Sequence, residues 1–206
     1  MKSAVIVSPK IYSLILASPR LKRLLLPEGF LCSPYAVLDY DITLTLTDKS
    51  GTEGVFRRRQ RIQFQQDEVG AILDHFWGDG VNTAAYSTTA GRIIDTFKDG
   101  TRRHLVIQLK RPMRRGEILE FTVERRVMET FVDAEGWEET TIDHPIVRLS
   151  HTIRFPKTRP CLSARLESRG QPIPLHILET RDGATEVGLH IPKAETDTPY
   201  TICWTW

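Results

Sequence analysis

From residue 37 onward the chain repeats one pattern: an apolar side chain at every second position, interrupted at short intervals by turn residues. Ile42, Leu44 and Leu46 alternate with Thr43, Thr45 and Thr47, which predicts a half-buried strand rich in β-branched residues. Asp48-Lys49-Ser50-Gly51 supplies turn chemistry. A second strand follows over about 55–65, with Phe56, Ile62 and Phe64 facing in, and the two are expected to pair as a hairpin. Residues 93–97 turn at Lys98-Asp99-Gly100-Thr101 into a strand that carries Leu105, Ile107 and Leu109 on one face. Period-two runs recur at 118–128, 147–155, 162–166, 173–178, 187–191 and 200–206. Asp133-Ala134-Glu135-Gly136 and Arg181-Asp182-Gly183 read as turns between them.

Two segments depart from that period. Asp67, Val69, Ile72, Leu73 and Phe76 are spaced for a short amphipathic helix that Gly78 and Gly80 would stop. Residues 1–36 form a basic arm, with five lysines and arginines against one acid, Glu28. Ser8-Pro9 and Ser18-Pro19 each resemble a helix start, serine as cap and proline at the first helical position. The second start would place Leu21, Leu24 and Leu25 on one face and Arg20 and Arg23 towards the other. The expected architecture is therefore mainly β: an antiparallel two-sheet β-sandwich over 37–206, stacked in an immunoglobulin-like way, with a short helical N-terminal arm over 1–36 and one inserted helix. A β-barrel is the alternative.

Composition alters this picture little. The chain has 206 residues, 40% of them apolar, 26% charged, and a net charge of +2. That balance argues against bulk disorder and against a nucleic-acid protein that works by overall charge. Cys32, Cys161 and Cys203 are an odd, scattered set with no paired spacing, which fits reduced thiols. The apolar stretch 11–26 is broken by Pro19, Arg20, Lys22 and Arg23 and is not expected to span a bilayer, so a cytoplasmic protein is expected.

Candidate chemistry is sparse. In Phe56-Arg57-Arg58-Arg59-Gln60-Arg61 a regular strand puts Arg57, Arg59 and Arg61 on one face, about 7 Å apart. Phe56, Arg58, Gln60 and Ile62 then line the other face. The guanidinium ladder could hold an anion or an acidic partner; it could equally be balanced across strands by Glu120 and Glu124. Asp74-His75-Phe76-Trp77-Gly78-Asp79 gathers two acids around an imidazole, a composition suited to general-base chemistry or binding, although a helix end anchored by Trp77 explains it as well. The six histidines show no HxH, HxxxH or HxxE spacing, and no GxxxxGK[ST], GxGxxG or GxSxG occurs, so no metal or cofactor is expected. His151, with apolar neighbours at i±2 and i±4, is expected to be a buried neutral core histidine. Tyr200, Ile202, Trp204 and Trp206 share one face of a closing core strand.

These observations point to a non-catalytic binding module that engages a protein partner, an acidic one among the candidates, through a sheet face, loops and the arm. Arg57, Arg59, Arg61, His75, Trp77, Asp79, Arg20 and Arg23 are its candidate contacts. A hydrolase-like enzyme with a spatially assembled His/Asp site, and a nucleic-acid binder using the arginine-lined strand, are the alternatives.

Overall fold

The computed structural model describes residues 34–76, 86–100, 102–142, 146–168, 170–195 and 198–206. The arm's expected helices, with Arg20 and Arg23, and the residues Trp77 and Asp79 lie outside the described residues.

Fourteen strands and no helix are found among the described residues. The strands are β1 (Tyr35–Leu46), β2 (Glu53–Phe64), β3 (Val69–Phe76), β4 (Ser87–Thr88), β5 (Gly91–Asp99), β6 (Arg102–Met113) and β7 (Ile118–Met128). They continue with β8 (Glu135–Thr141), β9 (Ile146–Phe155), β10 (Ser163–Ser168), β11 (Gln171–Pro174), β12 (Ile177–Glu179), β13 (Thr185–Pro192) and β14 (Pro199–Thr205). They build a seven-stranded sheet, β12-β13-β9-β1-β2-β7-β4, a four-stranded sheet, β11-β10-β14-β8, and a three-stranded sheet, β3-β6-β5. The first and last strands of each sheet do not meet, so no barrel closes. No helix among the described residues is long and apolar enough to cross a membrane.

Period two does most of this work. β1 pairs with β2 in the expected hairpin, and inward positions Ile42, Leu44, Leu46, Phe56, Ile62 and Phe64 are all buried. The smaller sheets close over the same core: Trp204 of β14 packs edge-on against Phe155 of β9, and Arg58 of β2 reaches Asp74 of β3. The mainly-β sandwich stands, with three sheets rather than two. Among the described residues all pairs are antiparallel except β1 with β9, which run parallel from Val37↔Ile146 to Thr45↔Arg154.

Three local readings are corrected. The inserted helix does not form: Val69–Phe76 is strand β3, paired with β6, burying Ile72 and Asp74 two residues apart. Glu135 and Gly136 are not a turn but the first residues of β8. The run 173–178 is divided between β11 of the four-stranded sheet and β12 of the seven-stranded one. Gly136 has a steric role, since a Cβ there would lie 2.5 Å from the indole of Trp204, which sits directly opposite in the register.

Candidate functional site

Strand β2 carries four arginines within five residues, and strict alternation sends Arg58 inward and Arg57, Arg59 and Arg61 outward. The outward ladder is matched by acids on both neighbours. Arg57 bridges Glu124 at 2.9 Å, Arg59 bridges Asp41 at 2.7 Å and Glu120 at 3.6 Å, and Arg61 lies 3.7 Å from Asp39. Hydrogen bonding to Asp41 raises the pKa of Arg59. The ladder is thus a set of guanidiniums already engaged by carboxylates, as Glu120 and Glu124 had made feasible from sequence.

The inward side is different. Arg58 is only 6% exposed. It donates to the Tyr40 hydroxyl at 2.8 Å and the His75 carbonyl at 3.0 Å, and forms an ion pair with Asp74. Next to it on β7, Arg125 occupies the inward register position opposite Phe56. The rings of Phe56 and Phe76 each lie 4.5 Å from its guanidinium carbon. From the four-stranded sheet, β8 contributes Glu138, opposite the fully buried Ile202 and so at a position where a sandwich ordinarily places an apolar side chain. Burial pushes the Glu138 carboxyl up to about 7, against the pull of Arg125. These residues surround a cavity of about 30 Å³ where the three sheets meet. One strand position along, Thr140 faces the fully buried His151, with 3.2 Å between its hydroxyl and Nδ1. Burial lowers the His151 pKa to about 4, so the ring is neutral near pH 7.

His75, singled out from the sequence, contributes to this cluster through its carbonyl oxygen. Its ring lies against His104 across β3 and β6, with centroids 5.9 Å apart. Sequence reasoning placed Arg58 inward but passed over Asp74 as its partner, and missed Arg125 and Glu138. The available signal was a charge standing at an inward position in an otherwise apolar alternation.

The second exposed feature is an edge. The seven-stranded sheet ends on strands of two and three residues, β4 and β12. β11 ends the four-stranded sheet with Pro172 and Pro174. In the three-stranded sheet, β5 is bulged, the register of β3 with β6 is broken between Val69 and Ala71, and β3 gives the carbonyls of Leu73 and His75 to Tyr35 and Arg58. Short strands, prolines and bulges are devices that blunt an edge against further pairing. β8 has none of them: it is seven residues long, without proline or lysine. Among the described residues, no backbone group of it bonds outside the ladder with β14. Trp137, 58% exposed, is the third of its seven residues, with Glu135 and Glu139 two residues to either side. Across the same outer face Trp137 is opposite Cys203, and Glu167 of β10 is opposite Thr201.

Among the described residues no three His, Cys, Asp or Glu side chains gather as a metal-ion site. No protein-family model matches the chain, and comparison with curated proteins gives no match. Solved structures do match in shape. An E323A mutant of the M1 zinc metallopeptidase from Deinococcus radiodurans superposes with a TM-score of 0.51 at 12% identity, over 82% of this chain and 42% of that one. A candidate protease from Parabacteroides distasonis superposes with a TM-score of 0.51 at 12% identity, over 85% and 41%. This chain therefore spans about two fifths of the length of these proteins, and at such identity the likeness concerns the fold alone. The His-Glu-x-x-His spacing by which metalloproteases hold zinc occurs nowhere in this sequence.

Proposed function

We propose that this chain is a non-catalytic binding module that takes an extended basic segment of a partner protein along strand β8. The observation that supports this is the contrast among the sheet edges: among the described residues β8 alone is long, in unbroken register, free of proline and lysine, and without backbone bonds outside its ladder. Strand addition draws affinity from main-chain hydrogen bonds and specificity from alternate side chains. Residues two apart on a strand share a face about 7 Å apart, so Glu135, Trp137 and Glu139 would meet alternate positions of the incoming strand. The two carboxylates favour lysine or arginine there, and the Trp137 ring can take the aliphatic stem or the charge of a basic side chain. A seven-residue edge buries little area, which suits a weak or transient complex.

The test is titration of the full chain with three peptides of about eight residues: one alternating Arg and Val, one with Glu replacing Arg, and one with a central Pro. The basic peptide should bind at micromolar affinity, and Trp137→Ala or the pair Glu135→Lys/Glu139→Lys should weaken it about tenfold or more. Equal binding of the acidic or the proline-broken peptide would refute the reading. So would strong amide-exchange protection along the outer edge of β8 in the free protein, because the edge would then already be covered by this chain or by a second copy.

A further inference from the structure

The cavity where the three sheets meet holds hydrogen-bond donors that its own residues leave unused. The Arg58 side chain is 7% exposed, and its terminal nitrogens are engaged, yet its Nε has no acceptor. The Nε of Arg125 is likewise buried without one. Because Phe56 and Phe76 lie against Arg125, an acceptor reaches it at the edge of the guanidinium plane, where the N–H groups point. A buried donor left without a partner costs about 1–3 kcal/mol, and more when it is charged.

The charges point the same way. Arg58 is balanced by Asp74. Glu139 is occupied by the hydroxyls of Thr141 and Thr201. Tyr40 accepts from Arg58, and His75 offers its carbonyl. That leaves Glu138 as the carboxylate that balances Arg125, whose charge is disfavoured by burial and by Arg58 and supported otherwise by a hydrogen bond with the Tyr86 side chain. With a carboxyl held at about 7, Glu138 is protonated for much of the time near neutrality, and Arg125 then lacks a counterion. A cavity needs roughly 10–15 Å³ to admit one water-sized particle, and this one offers about 30 Å³. A halide fits that space.

We propose that this cavity is a binding site for a monovalent halide, which accepts hydrogen bonds from the Nε–H groups of Arg58 and Arg125. Uptake of the anion is linked to protonation of Glu138, and it needs no occupant on the β8 edge. Between pH 6 and pH 8 the protonated fraction of a group titrating at about 7 falls about tenfold, and the apparent halide affinity should fall with it.

The experiment follows thermal unfolding of the full chain at constant ionic strength, with chloride or bromide exchanged for gluconate or sulfate. At pH 6 the halides should raise Tm by about 2–4 °C over gluconate, and at pH 8 the gain should shrink towards zero. In Glu138→Gln the halide gain should persist and lose its pH dependence. A bromide-soaked crystal should show an anomalous peak between Arg58 and Arg125, a readout that survives even if Arg125 variants fail to fold. A Tm that follows ionic strength whatever the anion, or an ordered water with no bromide signal in the cavity, would overturn the proposal.

Discussion

Strand β2 sends arginines to both sides of one sheet, and the two sides ask different things of them. Outward, Arg57, Arg59 and Arg61 stay 62%, 53% and 46% exposed on their side chains and meet carboxylates in water. Exposed pairs of this kind contribute about 0.2–1 kcal/mol each and are screened by salt. Inward, Arg58 has exchanged water for a tyrosine hydroxyl, a carbonyl and Asp74. A desolvated pair adds little net stability, but losing one member leaves an uncompensated charge in the interior. Neighbours in sequence with the same side chain thus differ severalfold in consequence, because alternation alone decides which of them keeps its water.

The sharpest way to break that contrast is Asp74→Ala, which should cost about 3–5 kcal/mol in urea denaturation. The double change Arg58→Met/Asp74→Leu should recover most of the loss, since it removes both charges and keeps the volume. A cost below 1 kcal/mol for the single change would mean that Arg58 is solvated after all.

A smaller effect should appear in the dependence of stability on pH. Glu138 is raised from 4.5 to about 7, so the folded state keeps a proton that the unfolded chain releases. Its contribution is full below pH 4.5 and is lost as pH rises through 7. His151 is lowered from 6.5 to about 4, so its contribution is full above pH 6.5 and is lost as pH falls through 4. The two slopes oppose each other between pH 4.5 and 6.5, giving a broad maximum there. Glu138→Gln should abolish the decline between pH 6 and 8, about 1 kcal/mol, and leave the His151 slope unopposed, so that stability falls with acid from about pH 6.5. An unchanged alkaline limb in that variant would place the titration elsewhere.

The smallest effects belong to the outer ladder. Arg59→Ala should cost at most about 1 kcal/mol and Arg57→Ala about half that, with both losses fading in 0.5 M salt. A loss as large as that of Asp74→Ala would erase the distinction between the faces.

Legibility from sequence followed the same division. β1, β2, β7, β9 and β14 were readable because most of their inward positions are apolar and their outward ones polar. β3 was not, since Val69, Ile72, Leu73 and Phe76 fall at helical spacing by coincidence, while its true inward set includes the acid Asp74. The β6 ladder, a bulge and Arg58 hold it extended, and all three are contacts distant in sequence. β8 was unreadable for a related reason: its inward residues are Gly136, Glu138 and Thr140, which are respectively space for Trp204, a cavity carboxyl and the partner of His151. Both proposed sites therefore involve a strand that hydrophobic periodicity cannot detect. The outer ladder was visible as a motif, and its acids on β7 were as well; Asp39 and Asp41 lie on β1, beyond a bulge that shifts the register.

The parallel contact between β1 and β9 also sets a schedule for synthesis. Val37 and its partner Ile146 are 109 residues apart in the chain. At about 5–20 residues per second, a ribosome needs roughly 5–20 s to make that interval. β2 can cover one side of β1 within a hairpin soon after both emerge, but the other side stays open until β9 arrives. During those seconds the nascent chain presents a twelve-residue strand with an uncovered edge and an apolar face. A polysome is thus where this protein is most exposed to mispairing with its own copies, and slowing translation between β2 and β9 should lower its soluble yield, whereas slowing it after β14 should not.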